Sequence, residues 1–221
     1  EEGNGWMTSV KNQLPNGTAT QFYNGCYIFS ATGTVEALTN LYFNQHLDLD
    51  LSEQNVFDCD DYPETVHGAL PDHVDVACDY IYNSGVLNQT CVPWLDGPGD
   101  CANSCTQPQY RIKSGLNTEH NTWINDAGDN VIELPNFNLD IIKATLITHG
   151  PMQFARHGHA ITLVGFDRIK SGDTLYFGGL SSDGTPFPPV IVQPGFPDIG
   201  KTYWITKDQY GTGFWKSGYN M

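Results

Sequence analysis

One thiol stands at the head of an apolar stretch, NGCYIFSATGTVEAL, residues 24–38. Cys26 lies between Gly25 and Tyr27, with no other cysteine within thirty residues. Three roles are open to it: a small buried hydrophobe, half of a disulfide, or a nucleophile. Its place at the start of a helix bears on the third, because unpaired N–H groups and the helix dipole there favour a thiolate over a thiol. The remaining cysteines stand at 59, 78, 91, 101 and 105, and the last four fall in a tract rich in Gly, Pro, Asp and Asn. Cys101 and Cys105 have a C-x3-C spacing, but no second such pair and no neighbouring histidine completes a zinc set. Disulfides are the stronger reading, and they imply an oxidising compartment. Asn16-Gly17-Thr18 and Asn88-Gln89-Thr90 match the N-x-T glycosylation triplet, a pattern short enough to arise by chance.

The elements that must carry this thiol follow from periodicity. Ile28, Phe29, Val35, Leu38 and Tyr42 fall at helical spacing, which predicts a helix of about four turns over residues 27–43. LSEQNVFDC, opened by Ser52, predicts a second short helix, and LPDHVDVACDYIYNSG a third, with Pro71 near its first turn and Gly85 at its end. Residues 94–109 read as a loop. Beyond them the character changes. QYRIKSGLN and NVIEL read as strands, and NLDIIKATLITHG as a helix closed by Gly150. PMQFA, AITLVGF, TLYFGGL, PVIVQ and KTYWITK are further strand candidates. A helical first half and a strand-rich second half predict an α+β protein of two lobes. The sequence shows no internal repeat and no low-complexity linker.

Composition narrows the function classes. The chain has 221 residues, 39% hydrophobic and 12% aromatic, which suits a folded globular protein. Its formal net charge of −15 would repel nucleic acid and anionic membrane surfaces. No run approaches the eighteen apolar residues of a membrane span. The first residues, EEGNGWMTS, lack the basic and apolar regions of a signal peptide, so a secreted form would have lost its targeting segment.

Five blocks in order, VKNQ at 10–13, CYIFSA at 26–31, LSEQNVFDC at 51–59, HAITLVGFD at 159–167 and YWITKDQYGTGFW at 203–215, resemble the papain-type cysteine peptidases. The resemblance covers nearly the whole chain. It implies one peptidase domain over 1–221 in the papain-like two-lobe fold: a helical left lobe over about 14–107, an antiparallel β-barrel-like right lobe from about 1–13 plus 108–221, and a cleft between them. It implies that Cys26 is the nucleophile. His159 is implied as the base and later general acid, while His157 reads as an exposed loop residue. Asp208 stands where the family carries an asparagine, and a carboxylate there also orients the imidazole and holds it charged to higher pH. Tyr210 takes the place of a shielding tryptophan. The oxyanion donors implied are the backbone N–H of Cys26 and a glutamine side chain. Gln13 keeps the VKNQ context, with LPNGTAT as an inserted loop; Gln21 keeps the local distance to Cys26. Gln13 is preferred.

The chain also departs from the family. Tyr23 replaces a cysteine, and VHGA at 66–69 replaces the stretch holding its partner, so one bridge is absent at both ends. Of the remaining cysteines, Cys59 is expected to pair with Cys101 and Cys91 with Cys105, leaving Cys78 as a buried hydrophobe. Gly68 and Ala69 occupy the strand edge that hydrogen-bonds a substrate backbone. Pro71, Ala160 and Met152 match pocket-wall positions, with ordinary core packing as the competing reading. Only QFARHG separates the GPM block from His159, while residues 168–200 form an insertion, and both changes are expected to remodel the right lobe near the cleft. The chain stops at GYNM, short of a final family strand, as a fragment or a mature core would.

The expectation is thus a secreted thiol endopeptidase that cleaves polypeptide substrates through a thioester. It needs no metal or organic cofactor and is restrained by an inhibitory pro-segment outside this chain; no nucleic-acid or membrane partner is expected. The competing class is a catalytically impaired papain-like module that binds peptides or proteins. Acyl transfer to an amine is a third use of the same residues.

Overall fold

The computed structural model describes residues 5–14, 25–60, 74–95, 97–101, 105, 110–111, 139–156, 159–177, 185–213 and 215–221. Among the described residues, four helices and six strands follow in the order α1 (Cys26–Phe43), α2 (Glu53–Cys59), α3 (Val74–Asn83), α4 (Leu139–His149), β1 (Met152–Arg156), β2 (His159–Arg168), β3 (Thr174–Leu175), β4 (Val190–Ile191), β5 (Thr202–Lys207) and β6 (Tyr219–Asn220). The expected strands in QYRIKSGLN and NVIEL lie almost wholly outside the described residues; Tyr110 alone bridges to Val86.

α1 is the central post. Thirteen of its eighteen residues are buried, so it is not one-sided like a surface helix. Ile28, Ala31 and Val35 pack with Val56 and Phe57 of α2, Ala77 and Ile81 of α3, and Val86. A buried side chain of this kind contributes about 1.5–3 kcal/mol. The Ser52 side chain accepts the Asn55 N–H and caps α2, as the LSEQ pattern predicts.

Against α1 stands a four-stranded antiparallel sheet in the order β1-β2-β5-β6. Ser30 Oγ donates to the Ile161 carbonyl at 2.6 Å, and Thr162 Oγ1 donates to the Ser30 carbonyl at 3.2 Å. This pair of stitches fixes the first turns of α1 against the first residues of β2. On the sheet's other side, Ile142 and Leu146 of α4 pack with Leu163, Met152, Phe154, Phe166 and Trp204. Gly150 ends α4 with φ +91°, and a Cβ there would come within 2.4 Å of Leu41. Only glycine meets both demands.

The disulfides Cys59–Cys101 and Cys91–Cys105 form as expected. Cys78 differs from expectation: it is half-buried, and its Sγ donates to Gln153 Oε1 at 3.0 Å. The described residues of TLYFGGL and PVIVQ form the short β3–β4 pair, Thr174 with Ile191 and Leu175 with Val190. The described part of this insertion has its own small core of Ile169, Leu175 and Val192 with Phe196, Tyr203 and Met221. It continues from the Arg168 end of β2, where Asp167 and Arg168 pair with Tyr203 and Thr202. No described helix is long and apolar enough to cross a membrane.

Candidate functional site

Cys26 is the first residue of α1 and 8% exposed. Gly25 precedes it without a capping side chain. The first N–H groups of the helix, that of Cys26 among them, therefore have no intrahelical acceptor. The negative charge of a thiolate is favoured at this end.

His159 opens β2, and Asp208 follows β5 directly. Antiparallel pairing of β2 with β5 brings Thr162 opposite Lys207, so the start of one strand meets the end of the other. His159 Nε2 lies 3.0 Å from Asp208 Oδ1. With Nε2 given to Asp208, Nδ1 is the ring nitrogen left over, and Cys26 acts on the ring as a nearby group that favours its charged form. Burial works against charge on this ring, yet the hydrogen bonds and negative charges of Asp208 and Cys26 prevail, and its pKa rises to about 9. Thiol, imidazole and carboxylate thus stand as neighbours at the join between α1 and the sheet. The Tyr210 ring lies nearly parallel to His159, with centroids 5.3 Å apart. That covers a face of the imidazole, as its sequence position implies.

Gln13 is buried, and its backbone N–H donates to the Gln209 carbonyl at 2.8 Å. Its own carbonyl accepts the Trp94 indole N–H at 3.2 Å. The Trp94 ring in turn packs so closely on Gly25 that a Cβ there would sit 3.1 Å from it. One indole therefore ties the Gln13 segment to the residue before the thiol. Gln13 Oε1 is buried and has no hydrogen-bond partner among the described residues. Gln21, Tyr23, His157, Gly68, Ala69 and Pro71 lie outside the described residues.

The structure does not gather every expected pocket residue. Ala160 is fully buried, packs in the helical core, and offers its carbonyl to Gln209 Nε2 at 2.7 Å. Met152 pairs with Leu163, whereas His159 pairs with Arg156 at the other end of the same ladder. Four residues of strand separate them by about 13 Å, and Met152 packs under α4 instead.

Three residues matter here that sequence reasoning passed over. Trp94 falls in a tract read as loop. Gln209 Nε2 reaches the carbonyls of both Ala160 and Cys26, at 2.7 and 3.4 Å, and so spans the join. Asn220 Nδ2 donates to Asp208 Oδ2 at 2.8 Å. For Asn220 a signal existed: a polar residue at the end of a short strand, where the neighbouring core is apolar. Among the described residues, no cluster of three or more His, Cys, Asp or Glu is placed to hold a metal ion.

The family model for papain family cysteine proteases matches residues 3–221. Cathepsin S of Bos taurus is 27% identical over 97% of this chain, and a cathepsin L-like protein of Caenorhabditis elegans is 27% identical over 96%. The chain spans 56% and 55% of their respective lengths, about half of each. Among solved structures, procathepsin L2 proteinase from Tenebrio molitor larval midgut superposes with a TM-score of 0.57 at 18% identity, covering 98% of this chain and 59% of that one. A Carica candamarcensis cysteine protease gives 0.55 at 20% identity, covering 98% and 85%. The fold is papain-like α+β, and the chain belongs to the papain family of cysteine proteases.

Proposed function

We propose that the chain is a working thiol endopeptidase that uses Cys26, His159 and Asp208. The observation that carries this reading is the 3.0 Å contact of His159 with Asp208 beside the thiol at the head of α1, with an imidazole held charged up to about pH 9. Cys26 Sγ attacks the carbonyl carbon of a peptide bond, and an S–C bond forms as the carbonyl π pair moves to oxygen. The oxyanion is met by the Cys26 N–H and by the side-chain amide of Gln13. Such donors are typically worth about 3 kcal/mol each. The tetrahedral centre collapses, the C–N bond breaks, and His159 gives its proton to the departing amine. The product is a thioester on Cys26. Water then attacks it, His159 takes a proton from that water, and the thiolate leaves. Asp208 stays ionised throughout, holding the ring in place and stabilising its positive form.

The whole chain serves as one peptidase unit in this reading, with the helical part over about 14–107 and the remainder supplying the sheet. Gly68 and Ala69 present a backbone edge to an extended polypeptide, with Pro71 at the neighbouring pocket. Two disulfides suit an oxidising compartment, and secretion is the route proposed. An inhibitory pro-segment belongs to the proposal as well; a procathepsin is among the structural neighbours.

The test compares purified wild type and Cys26→Ala on a mixed peptide library read by mass spectrometry. Wild type cleaves, and the variant loses all cleavage while its melting temperature stays close to wild type. A variant that still cleaves rejects Cys26 as the nucleophile. A wild type that binds peptides without cleaving them supports the impaired binding module instead.

A further inference from the structure

Asp208 is a carboxylate in a dry place, 2% exposed, yet donors reach it from three directions. Oδ1 receives His159 Nε2 at 3.0 Å and the Gln209 backbone N–H at 2.8 Å. Oδ2 receives Asn220 Nδ2 at 2.8 Å. Asn220 is itself 1% exposed, on β6, and its Oδ1 accepts the hydroxyl of Thr206 on β5. Thr206 and Asn220 are also cross-strand partners, so backbone pairing sets their side chains together.

The order of these contacts has chemical content. An amide donates from one side and accepts on the other. With the Thr206 O–H filling the accepting side, the NH2 of Asn220 turns to Asp208. The reverse orientation would set a carbonyl oxygen against a carboxylate in a buried pocket, leaving acceptors without donors. The pocket beside residue 208 thus offers a donor, which suits a carboxylate. Behind it, Gly218 is fixed by φ +87° and by Val10, whose Cγ1 would lie 2.4 Å from an added Cβ. The Gly218 carbonyl takes the Asp208 N–H at 2.9 Å. The strand that carries Asn220 therefore cannot drift away from Asp208.

We infer that Asn220, oriented by Thr206, is a positioning residue that holds the Asp208 carboxylate ionised and turned toward His159. Its consequence for turnover rests on the peptidase reading above; its consequence for Asp208 does not. Each donor removed from a buried carboxylate favours its protonated form. A protonated Asp208 would leave the imidazolium without its anionic partner. The titratable groups around Asp208 are His159 on β2, Cys26 on α1 beyond it, and Lys207, its chain neighbour on β5, whose Nζ turns instead to Thr8 Oγ1 at 3.2 Å. Tyr219, next to Asn220, is pushed up by burial and titrates well above the range in question.

The test follows the Asp208 carboxyl carbon by NMR across the acid range in wild type, Asn220→Leu, Asn220→Asp and Thr206→Val, with peptide hydrolysis measured on the same samples. Asn220→Leu, close in size but without a donor, raises the Asp208 midpoint by about one pH unit. It lowers kcat roughly ten- to a hundredfold with KM little changed. Asn220→Asp raises the midpoint further, because two facing carboxylates share one proton. Thr206→Val moves it in the same direction by less, and carries the test alone should the Asn220 variants fail to fold. An Asp208 midpoint that stays put while melting temperature falls makes Asn220 a packing residue and overturns the inference. A shifted midpoint with unaltered kcat overturns its role in turnover. A wild type that hydrolyses nothing refutes the peptidase reading alone, and the carboxyl titration still judges Asn220.

Discussion

Lys11, Glu36, Glu53 and Lys207 form one ionic cluster at the join between α1 and the sheet; Cys26, His159 and Asp208 form another. The two are separated by a single peptide bond on the sheet side, since Lys207 turns inward to Thr8 while the next residue turns to His159. In the inner cluster Lys11 Nζ meets Glu53 at 2.7 Å, Glu36 at 2.8 Å, Asp50 at 3.0 Å and the Leu51 carbonyl at 2.7 Å. Thr8 donates to Glu36, and Thr32 to Glu53 at 2.6 Å. Burial disfavours the charge on Lys11, but the two glutamates overcome it and hold its pKa above the usual lysine range. The outer cluster has fewer partners and a ring whose pKa is raised to about 9. The charges of Lys11, Glu36 and Glu53 are locked in place as structure, whereas those in the second cluster are poised to move.

Removing the hub of the inner cluster should have the largest effect. Lys11→Met leaves Glu36 and Glu53 buried without their cation, and urea denaturation should show a loss of about 3–5 kcal/mol. A loss below about 1 kcal/mol would mean that the glutamates are neutral or well hydrated, and the contrast between the clusters would fail.

The two clusters should also impose opposite pH slopes on stability. His159 has a folded pKa of about 9 against an ordinary 6.5, so the stability it contributes is complete below 6.5 and is lost as pH rises to about 9. That contribution is at most about 3 kcal/mol. Lys207 runs the other way. Burial, with Lys11 adding to it, lowers its pKa from 10.5 to about 8 despite the acidic neighbours, so the cost of its charge lifts as pH climbs from about 8 to 10.5. Urea midpoints measured across this range should fall and then recover. His159→Gln should flatten the first limb and Lys207→Met the second; identical slopes in all three proteins would refute the assignment.

The stitch between the clusters should matter least. Ser30→Ala removes the bond to the Ile161 carbonyl and should cost about 1 kcal/mol in thermal unfolding. The pH limbs of hydrolysis should stay where they are; a displaced limb would give Ser30 a part in the chemistry.

The sequence and the structure agree best where signals are local. The apolar spacing of Ile28, Phe29 and Val35 marks α1, Ser52 marks the start of α2, and Gly150 marks the end of α4. The pairs Cys59–Cys101 and Cys91–Cys105 match the expectation, although connectivity does not follow from sequence, and the meeting of His159 with Asp208 came through resemblance and not through spacing. What stayed hidden depends on side chains meeting across the fold. Trp94 reaches back 81 positions to Gln13, and Gln209 reaches 183 positions to Cys26. No periodicity encodes such contacts. Cys78 was misjudged for the same reason: its helix suggests an apolar neighbourhood, but the amide of Gln153 on β1 supplies a polar one. In the 168–200 insertion the apolar runs read as strands, and its described residues form a short ladder and a small core of their own.

The central claim is that an imidazole is held positive between a sulfur and a carboxylate. An NMR titration of the His159 ring reads this directly, with resonances assigned through His159→Gln. The ring should titrate near pH 9 in the unmodified protein and lower once Cys26 has been alkylated, because the sulfur's negative charge is then gone. A ring that titrates near 6.5 and ignores alkylation would contradict the account.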